Sequence, residues 1–230
     1  MKEKLASISS EAATKGKRIK TKYVVADLAA LTKYSEYQAI GDQLKDIDIG
    51  MLILNAGWAV MGPFKDLTPL EIEQIVTINA LHPIYLCKAL LPNLLSRTKR
   101  SGIVITSSGL GSVAVPGILT YSASKSFSSF LGQGLSTELK SKVDVVSFEC
   151  GEVSTKLLGK RNGFGVITPP KATWGCLRDL GSFNLTHGSF KHDLIMSITP
   201  SFVMQMAINA MSKKVLDKYR AKQAAEAKND

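Results

Sequence analysis

The chain has 230 residues, of which 45% are hydrophobic and 21% are charged, and its formal net charge at pH 7 is +10. This length and composition suit one large globular domain, so a fibrous or low-complexity chain is excluded. The three cysteines are widely spaced and odd in number, which predicts neither a disulfide framework nor a zinc site, and we expect no metal site.

Most of the positive charge lies at the two ends of the chain. Residues 1–22 hold seven basic and two acidic side chains, and residues 212–230 hold six basic and three acidic ones. Aromatic residues are not interleaved with the basic ones, so we expect no binding to nucleic acid. Such basic ends are typical of solvated tails, and they also suit an anionic membrane surface or a phosphate-bearing ligand.

The first part of the chain alternates between helical and strand patterns. The predicted elements are, in order, a helix over 1–13, a strand over 23–26, a helix over 34–44 and a strand over 51–54. Asp27 ends the first strand, and Asn55, Ala56 and Gly57 close the second. The N-terminal helix lacks the apolar core of a signal peptide.

The next helix begins with a clear signal and contains an unusual residue. Thr68 and Glu71 form a capping box, and helical periodicity continues to about Leu91, just before Pro92. Asn79 lies inside this helix among aliphatic residues. Because a buried amide costs free energy unless it is paired, we expect Asn79 to have a specific partner.

A serine at a strand end and a tyrosine–lysine pair form the most informative constellation. Residues 102–106 predict a buried parallel strand, and Ser108 follows it at the edge where open α/β sheets bind ligands. Tyr121 and Lys125 are four residues apart and so share one face of a helix that runs to about residue 140. A nearby ammonium is expected to lower the pKa of a phenol by about one to three units from about 10. The pattern predicts an acid–base pair beside a hydroxyl that binds a substrate oxygen.

The last third of the chain predicts one more strand, a short helix and an apolar segment. The strand covers 143–148, and the helix covers about 172–180. Residues 194–212 carry no charge. Pro200 and the polar side chains around it disfavour a membrane span, so burial against the domain and contact with a membrane surface both stay open.

With Ser108, Tyr121 and Lys125 in this order, the sequence resembles the short-chain dehydrogenase/reductase family. The resemblance implies an α/β fold with a Rossmann-like doubly wound parallel sheet, and a nicotinamide cofactor, NADP(H) ahead of NAD(H). It implies that Asn79, Ser108, Tyr121 and Lys125 are catalytic, with Asn79 holding a proton-relay water. The cofactor-binding positions that it implies are Asp27, Asn55, Ala56, Gly57, Tyr121, Lys125, Val153 and Thr155. Cys150 stands where the family has a proline, and we interpret it as a packed thiol.

The resemblance also indicates a branch and a missing part. Ser107 and Gly109 around Ser108, and the apolar end followed by lysines, resemble the very-long-chain 3-oxoacyl-CoA reductases and 17β-hydroxysteroid dehydrogenases of the endoplasmic reticulum. No Gly-x-x-x-Gly-x-Gly segment occurs at the beginning of the chain, where the family has one between its first strand and helix. We therefore expect the sheet to be N-terminally truncated, with its first β-α-β unit absent. The strand over 23–26 would then have no neighbour, and the strand over 51–54 would expose an apolar edge.

The expected organisation is a truncated dinucleotide-binding domain over 1–193, with a substrate lid over 156–193, followed by an apolar and then basic segment over 194–230. The expected function is reduction of a 3-oxoacyl-CoA or steroid-like ketone. One alternative is a non-catalytic, membrane-associated binding protein, and another is a dehydrogenase of the same fold for a retinol or a sugar. Location at the endoplasmic reticulum membrane or in the cytoplasm, membrane contact through 194–222 and homo-oligomerisation stay open.

Overall fold

The computed structural model describes residues 2–16, 19–155 and 162–198, with short pieces of 206–221. The helices are α1 (Lys2–Thr14), α2 (Tyr34–Asp42), α3 (Pro69–Val76), α4 (His82–Ser96), α5 (Leu119–Glu138), α6 (Pro169–Asp179) and α7 (Phe190–Ile198). The strands are β1 (Met51–Leu54), β2 (Ser101–Thr106), β3 (Val143–Phe148) and β4 (Leu185–Thr186). A π-helical turn, Thr77–Leu81, joins α3 to α4, and 3₁₀ turns cover Phe64–Asp66 and Gly109–Ser112.

The four strands are parallel and form one sheet in the order β1-β2-β3-β4. In this sheet Ile103 of β2 lies between Leu52 of β1 and Val145 of β3. Parallel neighbours need crossover connections, and helices supply them here. The architecture confirms the predicted α/β, Rossmann-like class.

The sheet is covered by helices on both faces. Successive residues of a strand point to opposite sides of the sheet, so both faces carry apolar side chains that helices bury. One face packs against α4 and α5, and the other against α6. The first core contains Leu52, Leu54, Cys87, Leu90, Leu94, Ile103, Ile105, Val143 and Val145. The second contains Val104, Val146, Phe148, Ile167, Ala172 and Cys176. A doubly wound sheet is the result.

The β1 edge of the sheet is uncovered on one face. Leu52 and Leu54 are buried, whereas Met51 is 46% exposed and Ile53 is 54% exposed. In the described residues β1 pairs with β2 alone. The predicted exposed apolar edge is therefore confirmed.

The predicted strand over 23–26 is wrong, because these residues form no regular structure and Val25 is 81% exposed. A β-branched run becomes a strand only when a neighbouring strand accepts and donates its backbone hydrogen bonds.

The α3–α4 region begins as predicted. The hydroxyl of Thr68 accepts a hydrogen bond from the backbone N–H of Glu71 at 3.2 Å, and the Glu71 carboxylate accepts one from the backbone N–H of Thr68 at 2.8 Å. This reciprocal pair confirms the capping box.

The helix that starts there extends past the predicted end near Leu91, and Pro92 lies inside α4. Proline removes one intrahelical hydrogen bond. The helix continues because Leu90 and Leu94, on either side of Pro92, are both buried in the core against the sheet.

Pro69–Ser96 is also, within the described part of the chain, the one helical stretch whose length and composition would allow it to cross a membrane. In this structure 44% of its most apolar 18-residue window is buried inside the protein. The core helix of a soluble protein can have the same length and composition, so this stretch is weak evidence for a membrane span. Of the predicted lid, residues 156–161 lie outside the described residues, as do residues 199–205, 207 and 211 of the apolar segment.

Candidate active site

The carboxyl end of β2 and the start of α5 are joined by two hydrogen bonds that fix the predicted lysine. The hydroxyl of Ser107 donates to the backbone carbonyl of Lys125 at 2.6 Å. The Lys125 ammonium donates to the backbone carbonyl of Thr106, the last residue of β2, at 2.9 Å. Lys125 is therefore buried at the strand end with a defined side-chain position.

Ser108 lies next to Tyr121 because the turn that follows it packs directly on α5. Its oxygen accepts a hydrogen bond from the backbone N–H of Leu110 at 3.2 Å. Its hydroxyl is close enough to the phenol of Tyr121 to lower the pKa of that phenol. A Cβ atom on Gly111 would lie 2.9 Å from the backbone carbonyl carbon of Lys125, so only glycine permits this approach. The hydroxyl and the phenol predicted to act together are adjacent.

The environment of Tyr121 keeps its proton on the phenol. Burial raises the pKa of Tyr121, the hydroxyl of Ser108 lowers it in part, and the thiol of Cys150 raises it. The ammonium of Lys125 stands over the ring face, with Nζ 5.8 Å from the ring centroid. The pKa of the phenol is therefore raised and not lowered as predicted, because burial has the largest effect on it. A protonated phenol at neutral pH is the form that donates a proton.

The surroundings of Lys125 lower its pKa toward neutral pH. Burial lowers the pKa of Lys125 to about 8, and the nearby thiol of Cys150 opposes this in part. At neutral pH most of this side chain is still an ammonium. It can stabilise negative charge on Tyr121 when the phenol gives up its proton.

The side chain of Asn79 makes three hydrogen bonds and is 1% exposed. Its Oδ1 accepts from the backbone N–H of Trp58 at 3.0 Å, and its Nδ2 donates to the carbonyl of Trp58 at 2.7 Å and to the hydroxyl of Ser124 at 3.0 Å. The residue lies in the π-helical turn, a geometry that is frequent at functional sites. The expected partners are present, and the role in holding a relay water stays a prediction.

Asn55 and Gly57 connect the end of β1 to this site. The hydroxyl of Thr106 donates to Oδ1 of Asn55 at 3.2 Å, which ties the ends of β1 and β2 together. A Cβ on Gly57 would lie 3.1 Å from Nζ of Lys125 and 3.2 Å from Oδ1 of Asn79. Glycine at this position leaves the space that these two side chains occupy.

A cavity of about 550 Å³ lies on the other side of Gly57. It is lined by Asp27, Leu28, Ala29, Ala56, Gly57, Trp58, Gln74 and Ile78. Three of the predicted cofactor positions therefore share one cavity. The Asp27 carboxylate also accepts a hydrogen bond from the backbone N–H of Ala29 at 3.0 Å.

Two further predicted cofactor positions, Val153 and Thr155, do not line this cavity. Val153 forms a parallel bridge with Ile167 and packs against the core under α6. Thr155 is half-buried at the last described position before 156–161. Cys150 is half-buried with Sγ 3.9 Å from the carbonyl of Ser107, and burial raises its pKa, as a packed thiol requires.

The roles of several residues that shape the site were not predicted from the sequence. Ser107 donates a hydrogen bond to the backbone carbonyl of Lys125, and Ser124 accepts one from the side chain of Asn79. Serines are common in this helix and turn, so no pattern in the sequence distinguishes these two. Glu149 is buried at the end of β3. An acidic residue directly after a largely apolar strand could have indicated it.

The model of one protein family, the short chain dehydrogenases, matches residues 1–163. This chain belongs to the short-chain dehydrogenase family. The bovine very-long-chain 3-oxoacyl-CoA reductase is 32% identical over 205 residues, which are 86% of this chain and 64% of the bovine protein. The human protein of the same name is 31% identical over 230 residues, which are 96% of this chain and 72% of that protein.

Solved structures of other short-chain dehydrogenases share the fold. A 7β-hydroxysteroid dehydrogenase superposes with a TM-score of 0.73 at 20% identity, covering 86% of this chain and 78% of that one. A short-chain dehydrogenase from Shigella flexneri complexed with NADP gives a TM-score of 0.67 at 21% identity, covering 81% and 82%.

The family binds a nicotinamide cofactor. The cavity beside Asp27 and Ala56 is large enough for the adenosine end of such a molecule, and Lys125 lies next to Gly57, which lines it. The described residues therefore fit this cofactor.

Proposed function

We propose that this chain reduces the ketone of a 3-oxoacyl-CoA or a steroid-like substrate to an alcohol with NADP(H). The observation that carries the proposal is the position of the phenol of Tyr121, which lies beside the hydroxyl of Ser108 and under the buried ammonium of Lys125. The phenol of Tyr121 is protonated at neutral pH and so holds the proton that ketone reduction requires. The names of the relatives support the substrate class, and the NADP complex of a structural neighbour supports NADP.

The protein's part in the reaction follows from its polar groups. The hydroxyl of Ser108 donates a hydrogen bond to the ketone oxygen and orients it beside Tyr121. Tyr121 then transfers its phenolic proton to that oxygen, and the ammonium of Lys125 stabilises the phenolate that remains. The bound cofactor supplies the hydride to the carbonyl carbon.

The remaining predicted residues hold the participants in place. Asp27, Ala56 and Gly57 would bind the adenosine end of the cofactor, since they line the cavity described above. Asn79 fixes the backbone of Trp58 on one wall of that cavity. Val153 and Thr155 would bind the nicotinamide end, and this role rests on the family resemblance.

The test is a substrate panel with the purified chain. Loss of NADPH absorbance is followed with a 3-oxoacyl-CoA, a steroid ketone, a retinal and a keto sugar, for the chain and for the variant Tyr121→Phe. The matched control is Tyr34→Phe, which removes the hydroxyl of a surface tyrosine that packs against Tyr85.

We expect turnover with the acyl-CoA or the steroid, loss of turnover in Tyr121→Phe and no change in Tyr34→Phe. Turnover of the retinal or sugar alone would support the alternative dehydrogenase. No turnover together with no saturable NADPH binding would support the non-catalytic binding protein.

We also propose that residues 194–222 contact the membrane surface of the endoplasmic reticulum. The support is the absence of charge over 194–212, the lysines that follow, and the exposure of Leu194 and Ile198 on α7 and of Met206. Co-flotation with vesicles of zwitterionic and anionic lipid tests this. Flotation that Leu194→Lys does not weaken would contradict the proposal.

A further inference from the structure

Glu149 is a buried carboxylate that no step of the proposed reaction uses. It directly follows β3 and is 3% exposed. A buried carboxylate is costly unless its oxygens are hydrogen-bonded and its charge is compensated. The hydrogen-bond and charge partners of Glu149 therefore indicate its structural role.

The two oxygens of Glu149 reach two different elements of the active site. Oε2 accepts a hydrogen bond from the hydroxyl of Ser112 at 2.9 Å, and Oε1 accepts a short one from the hydroxyl of Ser129. Ser112 is the last residue of the 3₁₀ turn that begins directly after Ser108. One side chain thus connects the serine turn to helix α5.

Ser129 lies on the same face of α5 as the acid–base pair. Tyr121, Lys125 and Ser129 follow one another at intervals of four residues, so they form one stripe along the helix. Ser129 is itself buried, and its oxygen accepts further hydrogen bonds from Ser147 and Gln133. The carboxylate of Glu149 is therefore hydrogen-bonded to α5 one turn beyond Lys125.

A histidine compensates the charge of Glu149. Nε2 of His187 lies 3.8 Å from Oε2 of Glu149, and its Nδ1 is hydrogen-bonded to the carboxylate of Asp193 at 2.9 Å. Burial alone would lower the pKa of His187, but the two carboxylates together raise it. Burial alone would raise the pKa of Glu149, but His187 and the two hydroxyls lower it. Glu149 is thus ionised and accepts from both hydroxyls at neutral pH.

We propose that Glu149 is a positioning residue that holds the Ser108 turn against the Tyr121 face of α5 and so sets the distance between the hydroxyl of Ser108 and the phenol of Tyr121. Backbone hydrogen bonds align the same segments, from Ser107 to Phe148 at 2.8 Å and from Gly109 to Cys150 at 3.1 Å. These fix the chain on either side of Ser108, and the carboxylate fixes the far end of the turn. The turnover part of this inference rests on the proposed function, whereas the geometric part does not.

The test compares variants that differ in what they leave at position 149. Glu149→Leu removes both hydroxyl acceptors, and Glu149→Gln keeps the shape and one carbonyl oxygen. The matched control is Asp179→Asn, which alters another buried carboxylate. This carboxylate accepts hydrogen bonds from the hydroxyl of Thr186 and from Arg178, and within the described residues it is hydrogen-bonded to neither the serine turn nor α5. Ser112→Ala is a milder variant in case Glu149→Leu does not fold.

The spectroscopic readout is the pKa of Tyr121, taken as the difference in phenolate absorbance between each variant with Tyr121 and the same variant carrying Tyr121→Phe. We expect Glu149→Leu to raise this pKa above that of the parent chain, because the hydroxyl of Ser108, which lowers it, is no longer held beside the phenol. In turnover, kcat should fall about tenfold or more with a smaller change in KM, since displacement of a reacting group is costly. Glu149→Gln should restore both readouts toward the parent values.

Two results decide the proposal. If Glu149→Leu and Ser112→Ala shift the pKa of Tyr121 no more than Asp179→Asn does, Glu149 is not a positioning residue and the inference is overturned. If the parent chain reduces no ketone, the proposed function fails, and the phenolate titration alone decides for or against Glu149.

Discussion

Replacing Asn79 by alanine should destabilise the chain strongly, because the amide has no substitute. Its three hydrogen bonds, to both backbone groups of Trp58 and to Ser124, are lost together. At a net contribution of about 1 kcal/mol for each bond, the free energy of unfolding should fall by about 3 kcal/mol. The same change releases the chain segment next to Lys125.

Urea denaturation followed by circular dichroism measures this loss. The matched variant is Asn55→Ala, which removes the same atoms from an exposed residue whose Oδ1 accepts a 3.2 Å hydrogen bond from Thr106. We expect Asn55→Ala to cost about 1 kcal/mol or less. The reasoning is refuted if Asn79→Ala costs no more than Asn55→Ala.

Three further changes test other parts of the structure. Thr68→Ala removes the capping box of α3 and should lower the free energy of unfolding by about 1 kcal/mol, measured in urea; an unchanged midpoint would count against the cap. Ser108→Ala removes the hydroxyl that lowers the pKa of Tyr121, so phenolate titration should show a higher pKa; an unchanged or lower one would contradict this effect of Ser108. The folded pKa of His187 lies above its ordinary value of 6.5, so its stabilisation is complete below that value and is lost as pH rises through the raised pKa. His187→Gln should remove this decline from melting curves recorded across neutral pH, and an identical pH dependence would show that the histidine does not carry it.

The site could be predicted from sequence where spacing and chain position determine geometry. The interval of four between Tyr121 and Lys125 puts both on one helix face, and the apolar strand before Ser108 puts that residue at the sheet edge. The need of a buried amide for partners likewise predicted that Asn79 would be paired. Each of these inferences uses local rules that tertiary contacts rarely reverse.

The features of the fold and the site that the sequence did not predict depend on contacts between distant parts of the chain. The strand over 23–26 is absent because no neighbour pairs with it, and α4 passes Pro92 because the leucines around it are buried against the sheet. The pKa of Tyr121 depends on how deeply the phenol is buried, which spacing does not encode. The role of Glu149 requires a serine turn and a helix to meet one carboxylate.

The most direct measurement of the central claim, that Tyr121 delivers a proton while a hydride reaches the ketone, is isotope transfer. The chain and its Tyr121→Phe variant are incubated with a 3-oxoacyl-CoA and NADPH that carries deuterium at both hydrogens of its hydride-donating carbon, and the alcohol is analysed by mass spectrometry. We predict deuterium on the carbinol carbon with the parent chain and almost none with Tyr121→Phe. Equal labelling by both proteins would contradict the account.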